Sequence, residues 1–404
     1  MVIPVQWTKQ FRQAIGVLEQ IESYGYEAYF VGGCVRDLLL RRHIGDIDIA
    51  TSARPDVIRE IFSKVIPVGL EHGTVIVRYE HHSYEVTTFR VDDEYTDQRH
   101  PDSVQFVTTI DQDLKRRDFT INALAMDKTG VIIDLFNGQE DIQKGIIRTV
   151  GNGYDRFKED PLRIMRALRF SSQLGFSLNK HTLKAMQSVI NELKSIAVER
   201  ILQETAKFFA GAYIETGMNY FKVINVEQHL PVFKDNPAIM KRLPQPIKPL
   251  QSFGAVIAML HFVEPAISID TWAKKWKCSN RIKFEAESFI KALYYYERSG
   301  LDPWLVYGLH TTGYSDFVLL VNVLFDNRLS KQIVNKMAHS LPIHSSQALE
   351  INGTDLRLLF PDKRPGPWIG DTLKQIEKQV VTGHLNNNKN ALKEWVKWNP
   401  HATD

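Results

Sequence analysis

Residue patterns typical of β-strands occur almost only in the first part of this 404-residue chain. Three runs there are rich in β-branched and aromatic residues: TVIVRY at 74–79, YEVTTFR at 84–90 and VQFVTTI at 104–110. A further buried strand, AYFV at 28–31, runs into a glycine turn and follows a segment in which Phe11, Leu18 and Ile21 recur at helical spacing. The first ~150 residues therefore predict a mixed sheet with helices.

From Gly151 onward the strand patterns largely vanish and apolar residues recur at helical spacing. The segments PLRIMRALRFSSQLG and TLKAMQSVINELKS are clear examples. Proline-rich stretches at 243–250 and 360–370 interrupt the helical pattern and are candidate boundaries. We therefore predict the α+β class: a small mixed sheet with helices, followed by helical domains.

Charge and composition leave the class of partner open. Fifty Lys and Arg against 47 Asp and Glu give a net charge of +3, so a nucleic acid would need basic residues gathered on one surface. The longest apolar run, 253–263, is too short to cross a bilayer, and the N-terminus lacks the pattern of a signal peptide. Cys34 and Cys278 are far apart and lack metal-ligand spacing. We expect a cytoplasmic protein without a membrane segment.

The segment GGCVRDLLLRRHIGDIDIA, residues 32–50, carries two aspartates two positions apart. In an extended segment Asp46 and Asp48 share a face, while Ile47 and Ile49 point into the core. Two such carboxylates repel each other unless a divalent cation neutralises them, and oxygen ligands suit Mg²⁺ or Mn²⁺. Taken alone, Asp-x-Asp is more often a polar strand edge. The metal interpretation therefore depends on the neighbouring residues.

A double glycine and an arginine precede the aspartates. Gly32 and Gly33 let backbone N–H groups approach an anion closely, and Arg36 adds a forked donor that suits phosphate oxygens. Alone, a double glycine is usually simple turn chemistry. Together with the aspartate pair, it predicts a site for a metal-bound triphosphate.

Three further motifs follow in order: RRDFTINALAMD at 116–127, DLFNGQEDI at 134–142 and EDPLRIMRALRF at 159–170. With the GGxxRD and DxD segment, they resemble the motifs of the class II nucleotidyltransferases, which comprise tRNA CCA-adding enzymes and bacterial poly(A) polymerases of the DNA polymerase β superfamily. The C-terminal INGTDL, RPGPWIG and VVTGHLNNN also resemble CCA-adding enzymes of the Gram-positive type. The resemblance implies addition of the 3′-terminal CCA of tRNA from CTP and ATP without a nucleic-acid template.

The resemblance also implies a domain order and a set of site residues. The order would be a nucleotidyltransferase head at 1–150, a base-selecting neck at 151–225, a body at 226–310 and a tRNA-binding tail at 311–404. Asp46 and Asp48 would be the catalytic metal ligands of a two-metal transfer. The residues expected to bind the nucleotide are Gly33, Arg36, Arg117, Asp160, Arg163, Arg166 and Arg169.

Three other residues keep two interpretations each. Glu85 is the best-placed candidate for a third metal carboxylate, and an exposed strand glutamate is the alternative. Arg116, beside Arg117, could be an ordinary surface arginine or form a salt bridge. Asn122 could position sugar or phosphate, or bond only to the backbone.

Asp160 and Arg163 are predicted to select the base. Three positions apart on one helix, their head groups would lie side by side and offer an acceptor next to a donor. Cytosine and adenine each carry an amine beside a ring-nitrogen acceptor, whereas uracil and guanine present the reverse. The alternative is a plain helix salt bridge, and the upstream motifs favour base selection.

The segment DDEYTDQRHPDSV, residues 92–104, is polar and lacks a strand pattern, so it predicts a surface loop. The resemblance implies a flexible loop that helps the switch from CTP to ATP and that enzymes adding only CC lack. Arg99 and His100 are the loop residues of interest.

A tRNA surface is expected in the helical half. The run KKWKCSNRIK at 274–283 mixes basic residues with an aromatic one, as do Lys363, Arg364 and Trp368. Each could equally be a solvated helix face with a core tryptophan. The implied partners are tRNA, CTP and ATP, and a homodimer is left open. A poly(A) polymerase, a CC-adding enzyme or an inactive RNA-binding relative are the alternatives.

Overall fold

The computed structural model describes residues 7–92 and 104–399, without the side chains of residues 92 and 104. The chain divides into two compact units, residues 1–240 and 241–404. The predicted α+β class is confirmed, because the first unit contains a mixed sheet with helices and the described part of the second unit is helical. The finer division at residues 151, 226 and 311 stays a prediction.

The strands all belong to the first unit. They are β1 (Ala28–Val31), β2 (Asp48–Thr51), β3 (Val65–Gly69), β4 (Thr74–Tyr79), β5 (His82–Thr88), β6 (Arg90–Asp92), β7 (Val104–Phe106), β8 (Ala125–Met126), β9 (Ile132–Ile133), β10 (Ile146–Ile147) and β11 (Ser177–Leu178). The described residues contain no strand after β11.

The α-helices of the first unit are α1 (Lys9–Ser23), α2 (Gly33–Leu39), α3 (Pro55–Ile61), α4 (Ile110–Lys115), α5 (Gly138–Lys144), α6 (Gly153–Glu159), α7 (Leu162–Leu174), α8 (Lys180–Val189), α9 (Val198–Phe209) and α10 (Ile214–Val223). The short helix α11 (Ile239–Arg242) lies at the border between the units in the sequence. The second unit contains α12 (Phe253–Val263), α13 (Ile269–Lys275), α14 (Asn280–Ser299), α15 (Pro303–Gly308), α16 (Tyr314–Leu324), α17 (Lys331–His339), α18 (Gly353–Leu359), α19 (Trp368–Val381) and α20 (Lys389–Trp398).

The main sheet has seven strands in the order β3-β4-β5-β2-β1-β8-β9. Strand β2 runs parallel to β5, whereas β1 is antiparallel to both β2 and β8. The register between β2 and β5 places Asp48 beside Glu85. The sheet therefore brings together two acidic residues that are far apart in the sequence.

Helix α1 packs against strand β1 of the sheet. The hydroxyl of Thr8 caps this helix by accepting from the backbone N–H of Phe11 at 3.5 Å. Phe11 then meets Phe30 of β1, with ring centroids 4.9 Å apart and nearly perpendicular rings. Full burial of a phenylalanine stabilises a fold by about 1.5–3 kcal/mol, so this contact fixes β1 and the turn that follows it.

Two small ribbons supplement the main sheet. Strands β6 and β7 pair antiparallel, and β10 pairs in parallel with β11. The strand β11, at Ser177–Leu178, lies beyond Gly151, where we expected helices alone. Two residues are too few to show a periodicity of two, so the sequence carries no signal for this strand.

The second unit is built around α12. The apolar run 253–263 forms this helix, and most of its side chains are buried against α14 and α16. Asp316 of α16 accepts from the backbone N–H groups of Gln251 and Ser252, at 2.7 and 2.9 Å, and so satisfies donors at the start of α12. No helix in the described ranges combines the length and apolar character needed to cross a membrane.

Candidate active site

The glycine turn brings the start of α2 next to an arginine from a distant part of the chain. Gly32 has a φ of 73°, a left-handed conformation that other residues rarely adopt. A Cβ atom there would lie 2.8 Å from Nη1 of Arg117. Gly33 begins α2, and Arg36 of that helix is buried. The turn thus assembles the two arginines that the sequence places 81 positions apart.

The two aspartates occupy different environments. Asp48 is the first residue of β2, and Asp46 lies before the strand, so only Asp48 belongs to the sheet. Asp48 is half-buried and lines a cavity, whereas Asp46 is exposed and is not among the lining residues. Burial raises the pKa of Asp48 to about 6; Glu85 and Asp46 add to the rise, and Arg117 opposes it. The positive charge near Asp48 is thus too small to offset burial and the neighbouring carboxylates.

Glu85 lines the same cavity from β5. Within the residues that the structure describes, neither Asp48 nor Glu85 has a side-chain hydrogen bond or ion pair. The same ranges contain no group of three or more His, Cys, Asp or Glu residues that could hold a metal ion. Mg²⁺ is commonly bound by one or two carboxylates and completed by substrate phosphates. The acidic pair fits that mode better than a site made by the protein alone.

The cavity has a volume of about 660 Å³ and belongs to the first unit. The sequence-predicted residues that line it are Gly33, Arg36, Asp48, Glu85, Arg117, Asp160, Arg163, Arg166 and Arg169. Its described lining includes eight arginines, which suits a ligand with several negative charges. The loop residues Arg99 and His100 lie outside the described residues.

Arg36 is held by three neighbours. Its Nε and Nη2 donate to the two carboxylate oxygens of Asp37, both at 3.0 Å. Its Nη1 donates to the side-chain oxygen of Asn122 at 2.5 Å. Its guanidinium lies 5.1 Å from the ring centroid of Phe170, within the range of a cation–π contact. Asn122 therefore orients an arginine rather than bonding only to the backbone.

Arg116 and Arg117 share one buried carboxylate, that of Asp113. Arg116 Nη2 lies 2.8 Å from Oδ1 and Arg117 Nη2 lies 3.0 Å from Oδ2. Burial opposes ionisation of Asp113, but the two guanidinium groups outweigh it and hold its pKa below the usual value. The salt-bridge interpretation of Arg116 therefore describes its contacts, although Arg116 also lines the cavity.

Asp118, the residue after this arginine pair, fixes Arg166. Arg166 donates through Nε at 2.7 Å and approaches through Nη2 at 2.6 Å, both to Oδ2 of Asp118. The other oxygen accepts from the Asn122 amide at 3.1 Å and from the backbone N–H of Phe119 at 2.8 Å. Burial alone would raise the pKa of Asp118, but Arg166, the Asn122 amide and Arg163 lower it to about 2.

The expected arrangement of Asp160 and Arg163 on one helix is wrong. Asp160 ends α6 with an extended backbone, φ −142° and ψ 97°, and α7 begins only after Pro161. Proline disfavours the helical conformation in the residue before it, so the break falls at Asp160. Both side chains still line the cavity.

Each member of this pair has its own counter-charge. Asp160 Oδ2 accepts from Arg200 Nη2 at 2.9 Å, and Oδ1 accepts from the backbone N–H of Leu162 at 3.1 Å. Arg163 Nη1 donates to Glu159 Oε2 at 2.6 Å and to a backbone carbonyl at 2.9 Å. The plain Asp160–Arg163 salt bridge, the alternative to base selection, does not form in the described structure.

Arg169 packs between an aromatic ring and a carboxylate. Its guanidinium lies 4.3 Å from the centroid of Phe170, and its Nε lies 3.1 Å from Glu204 Oε2. Both atoms of that ion pair lack a well-aligned hydrogen bond, so the attraction there is mainly that of opposite charges. Burial lowers the pKa of Arg169 to about 10, with Glu204 opposing and Arg166 reinforcing the shift.

The residues of this network that were not singled out from the sequence include Asp113, Asp118, Arg200 and Glu204. Asp118 directly follows the RR pair, and that adjacency was an available signal. Arg200 and Glu204 lie in α9, outside the four motifs, and only the packing of α9 against α7 brings them to the cavity residues.

In the second unit, neither of the predicted aromatic contacts is exposed. Trp276 is fully buried, and Trp368 is 8% exposed with the Lys363 ammonium 5.0 Å from its ring centroid. The exposed aromatic residues in the described part of this unit include Trp398 of α20, at 80%, and Phe284 of α14, at 74%. Arg281 and Lys291 are exposed and lie three and seven positions away, on the same helix face. The run 274–283 thus supplies the exposed cation Arg281, and the exposed ring of Phe284 lies just beyond the run.

Comparisons with known families cover most of the chain. Residues 28–148 match the poly(A) polymerase head domain, which corresponds to the part that contains the main sheet. Residues 175–231 match a family described as an RNA- and SrmB-binding site of polymerase A, and residues 252–396 match domain 2 of tRNA nucleotidyltransferases.

Individual relatives extend over nearly the whole length. The chain is 46% identical over 390 residues to a CCA-adding enzyme of Oceanobacillus iheyensis, covering 96% of this chain and 98% of the relative. It is 41% identical over 393 residues to one of Bacillus cereus, with coverages of 96% and 98%. A crystal structure of the Bacillus stearothermophilus CCA-adding enzyme in complex with CTP shares 35% identity and a TM-score of 0.83, covering 98% of both chains. The chain therefore belongs to the family of CCA-adding enzymes, the tRNA nucleotidyltransferases.

Proposed function

We infer that this chain builds the 3′-terminal CCA of tRNA from CTP and ATP without a nucleic-acid template. The observation that supports this best is one cavity of about 660 Å³ lined by Asp48 on the sheet, by Asp160 at the end of α6 and by Arg163 in the first turn of α7. An acidic end for the reacting phosphate and a donor–acceptor end for the base are the two parts that such a transfer needs. The relatives named as CCA-adding enzymes support the same conclusion.

Asp46 and Asp48 are the proposed ligands of the divalent ion, with Glu85 as a third carboxylate. Asp48 fits this role because burial and Glu85 raise its pKa, so a cation beside it would favour its ionised form. A Mg²⁺ or Mn²⁺ ion held by these carboxylates would supply activation of the 3′-hydroxyl of the RNA and neutralisation of charge on the triphosphate and the leaving pyrophosphate. Asp46 is exposed, so its side chain has room to turn toward the same ion.

The glycine turn and its arginines are proposed to hold the triphosphate. The left-handed Gly32 has no Cβ that would displace Arg117, so a phosphate can approach both the turn and the guanidinium. Arg36 is already oriented by Asp37 and Asn122 and loses little rotational freedom when it donates to a phosphate.

Asp160 and Arg163 are proposed to read the base. A carboxylate oxygen can accept two hydrogen bonds, so each oxygen of Asp160 keeps one position for the amine of cytosine or adenine. Arg163 uses Nη1 for Glu159, whereas its Nη2 has only a 3.4 Å contact with the carbonyl of Arg116. Arg163 therefore retains a donor for the ring nitrogen of either base.

The tRNA is proposed to contact the second unit along the face of α14 that carries Arg281, Phe284 and Lys291. Cations suit the phosphate backbone, and an exposed ring can stack on an unpaired base. This face replaces the predicted stacking role of Trp276 and Trp368, because both tryptophans belong to the core.

The decisive experiment uses a tRNA transcript without CCA, incubated with Mg²⁺ and each nucleotide singly, then with CTP and ATP together. We expect two additions with CTP alone, none with ATP alone and CCA with both. A long tail from ATP alone would indicate a poly(A) polymerase, and arrest at CC with both nucleotides would indicate a CC-adding enzyme. No addition despite tRNA binding would identify an inactive relative. Sedimentation of the same sample tests the homodimer.

A further inference from the structure

Asp160 and Arg163 have opposite charges and lie three positions apart, yet no ion pair joins them in the part of the chain that the structure describes. Arg163 is paired with Glu159 at 2.6 Å, and Asp160 is paired with Arg200 at 2.9 Å. Glu159 and Arg200 thus each hold one member of the pair, and Asp160 and Arg163 stay apart.

The orientation of Asp160 depends on two donors from different elements. The backbone N–H of Leu162 holds Oδ1, and Arg200 Nη2 holds Oδ2. With both oxygens held, the carboxylate cannot turn about its terminal bond. Without Arg200 only the bond to Leu162 would remain, and Oδ2 would lack a donor in a largely buried setting. An unpaired carboxylate oxygen there is costly, so a turn toward the guanidinium of Arg163 would be favoured.

Helix α9 also holds a second residue that lines the cavity, Arg169. Glu204 lies one turn after Arg200, on the same helix face, and is buried beside Arg169. One face of α9 therefore offers a cation to Asp160 and an anion to Arg169. The two charges on this face thus pair with two residues of opposite charge that are proposed to bind the nucleotide.

From these contacts we propose that Arg200 is a positioning residue for base selection: it keeps Asp160 from pairing with Arg163, so that both remain available to the incoming base. This role rests on the proposed function of the cavity. Arg200 lines the cavity, but its side chain donates a hydrogen bond to Asp160, so it acts through that residue.

The first test is nucleotide discrimination by Arg200→Gln, which removes the charge but keeps a polar side chain of similar reach. On tRNA lacking CCA, kcat/KM for CTP relative to UTP should fall roughly tenfold, as expected when a charged hydrogen bond is lost. On tRNA ending in CC, the preference for ATP over GTP should fall as well. A role limited to stability would lower all four values together and leave both ratios unchanged, and that result would overturn the proposal.

Two further variants complete the design. Arg200→Lys keeps a positive charge and should retain a larger part of both ratios than Arg200→Gln, and it carries the test if the glutamine variant fails to fold. Arg242→Gln removes a comparable arginine, paired with Glu264 in the second unit, and should leave both ratios unchanged. In a double-mutant cycle with Asp160→Asn, Arg200→Gln should cause little additional loss of discrimination. Full additivity would contradict action through Asp160.

The second test needs no activity. A crystal structure of Arg200→Gln should show the Asp160 carboxylate within 4 Å of the Arg163 guanidinium, the ordinary limit of an ion pair. If Asp160 stays in its wild-type position, the proposed positioning role is wrong even when CCA addition is intact. If the wild-type enzyme adds no nucleotide, the proposed function is wrong. The crystal structure of Arg200→Gln would still decide whether Arg200 keeps Asp160 and Arg163 apart.

Discussion

Replacing Asp118 by asparagine should destabilise the first unit by about 2–3 kcal/mol at pH 7. Burial alone would raise the pKa of Asp118, but Arg166, Asn122 and Arg163 outweigh it and lower the value from 3.8 to about 2. That difference corresponds to about 2.5 kcal/mol of stabilisation by the ionised form. Asparagine keeps the shape of the side chain and removes the charge that Arg166 requires.

The pH dependence of this stabilisation has a definite sign. The pKa of Asp118 in the folded state lies below its unfolded value, so the stabilisation is complete well above pH 3.8 and is lost as the pH falls toward 2. The difference in unfolding free energy between wild type and Asp118→Asn should therefore be full at pH 7 and about half as large at pH 3. The charged and polar groups that face Asp118 are Arg166, Arg163 and Asn122.

Thermal unfolding of the full chain is the primary assay. For a unit of 240 residues, 1 kcal/mol shifts the midpoint by about 2–4 °C, so Asp118→Asn should lower it by about 5–10 °C at pH 7. Arg166→Met should also destabilise, because it leaves the Asp118 charge buried and unpaired. The double variant should lose less than the sum of the two single losses. A midpoint for Asp118→Asn within 1 °C of wild type, or a loss that does not change with pH, would refute this account.

The remaining predictions concern catalysis and RNA binding. Asp48→Ala should abolish addition of both C and A while tRNA affinity, measured by filter binding, stays nearly unchanged, and retained turnover would remove Asp48 from the metal site. Asp160→Ala should reduce discrimination against UTP and GTP by roughly tenfold or more in kcat/KM, whereas full selectivity would exclude its reading of the base. Deleting residues 95–100, outside the described ranges, should arrest the product at CC, and efficient completion with A would make this segment dispensable. Phe284→Ala should weaken tRNA binding about tenfold through lost stacking, with the equally exposed Leu358→Ala as control, and equal effects of the two would contradict a specific contact.

Local signals in the sequence located the cavity residues. A glycine turn, a short strand and a forked cation are each specified within a few positions, so GGxxRD and DxD predicted Gly33, Arg36 and Asp48 without knowledge of the fold. The break at Asp160 was also encoded, because Pro161 follows it and disfavours a helical conformation there. We nevertheless predicted one helix across Asp160 and Arg163, because the residues after the proline have helical periodicity.

Contacts between distant elements could not be predicted in the same way. Arg200 lies 40 positions from Asp160, and nothing in the spacing of α9 indicates which of its charged residues face α7. The exposure of aromatic residues could not be predicted either. A basic run with a tryptophan has the same sequence pattern whether the ring faces solvent or the core. Packing places Trp276 inside and Phe284 outside.

The carboxylates of the cavity fall into two kinds. The sequence alone cannot distinguish them, because aspartates occur in both. Asp113 and Asp118 are bonded to arginines, and those cations hold their pKa values low despite burial. Asp48 is half-buried, and burial, together with Glu85 and Asp46, raises its pKa to about 6 although Arg117 opposes the rise. The first kind neutralises and orients the arginines that would meet a triphosphate. Only the second kind can bind a cation from solution without breaking an ion pair that the fold already contains. This is the physical reason for proposing the metal at Asp48 rather than at the more numerous acidic groups beside the arginines.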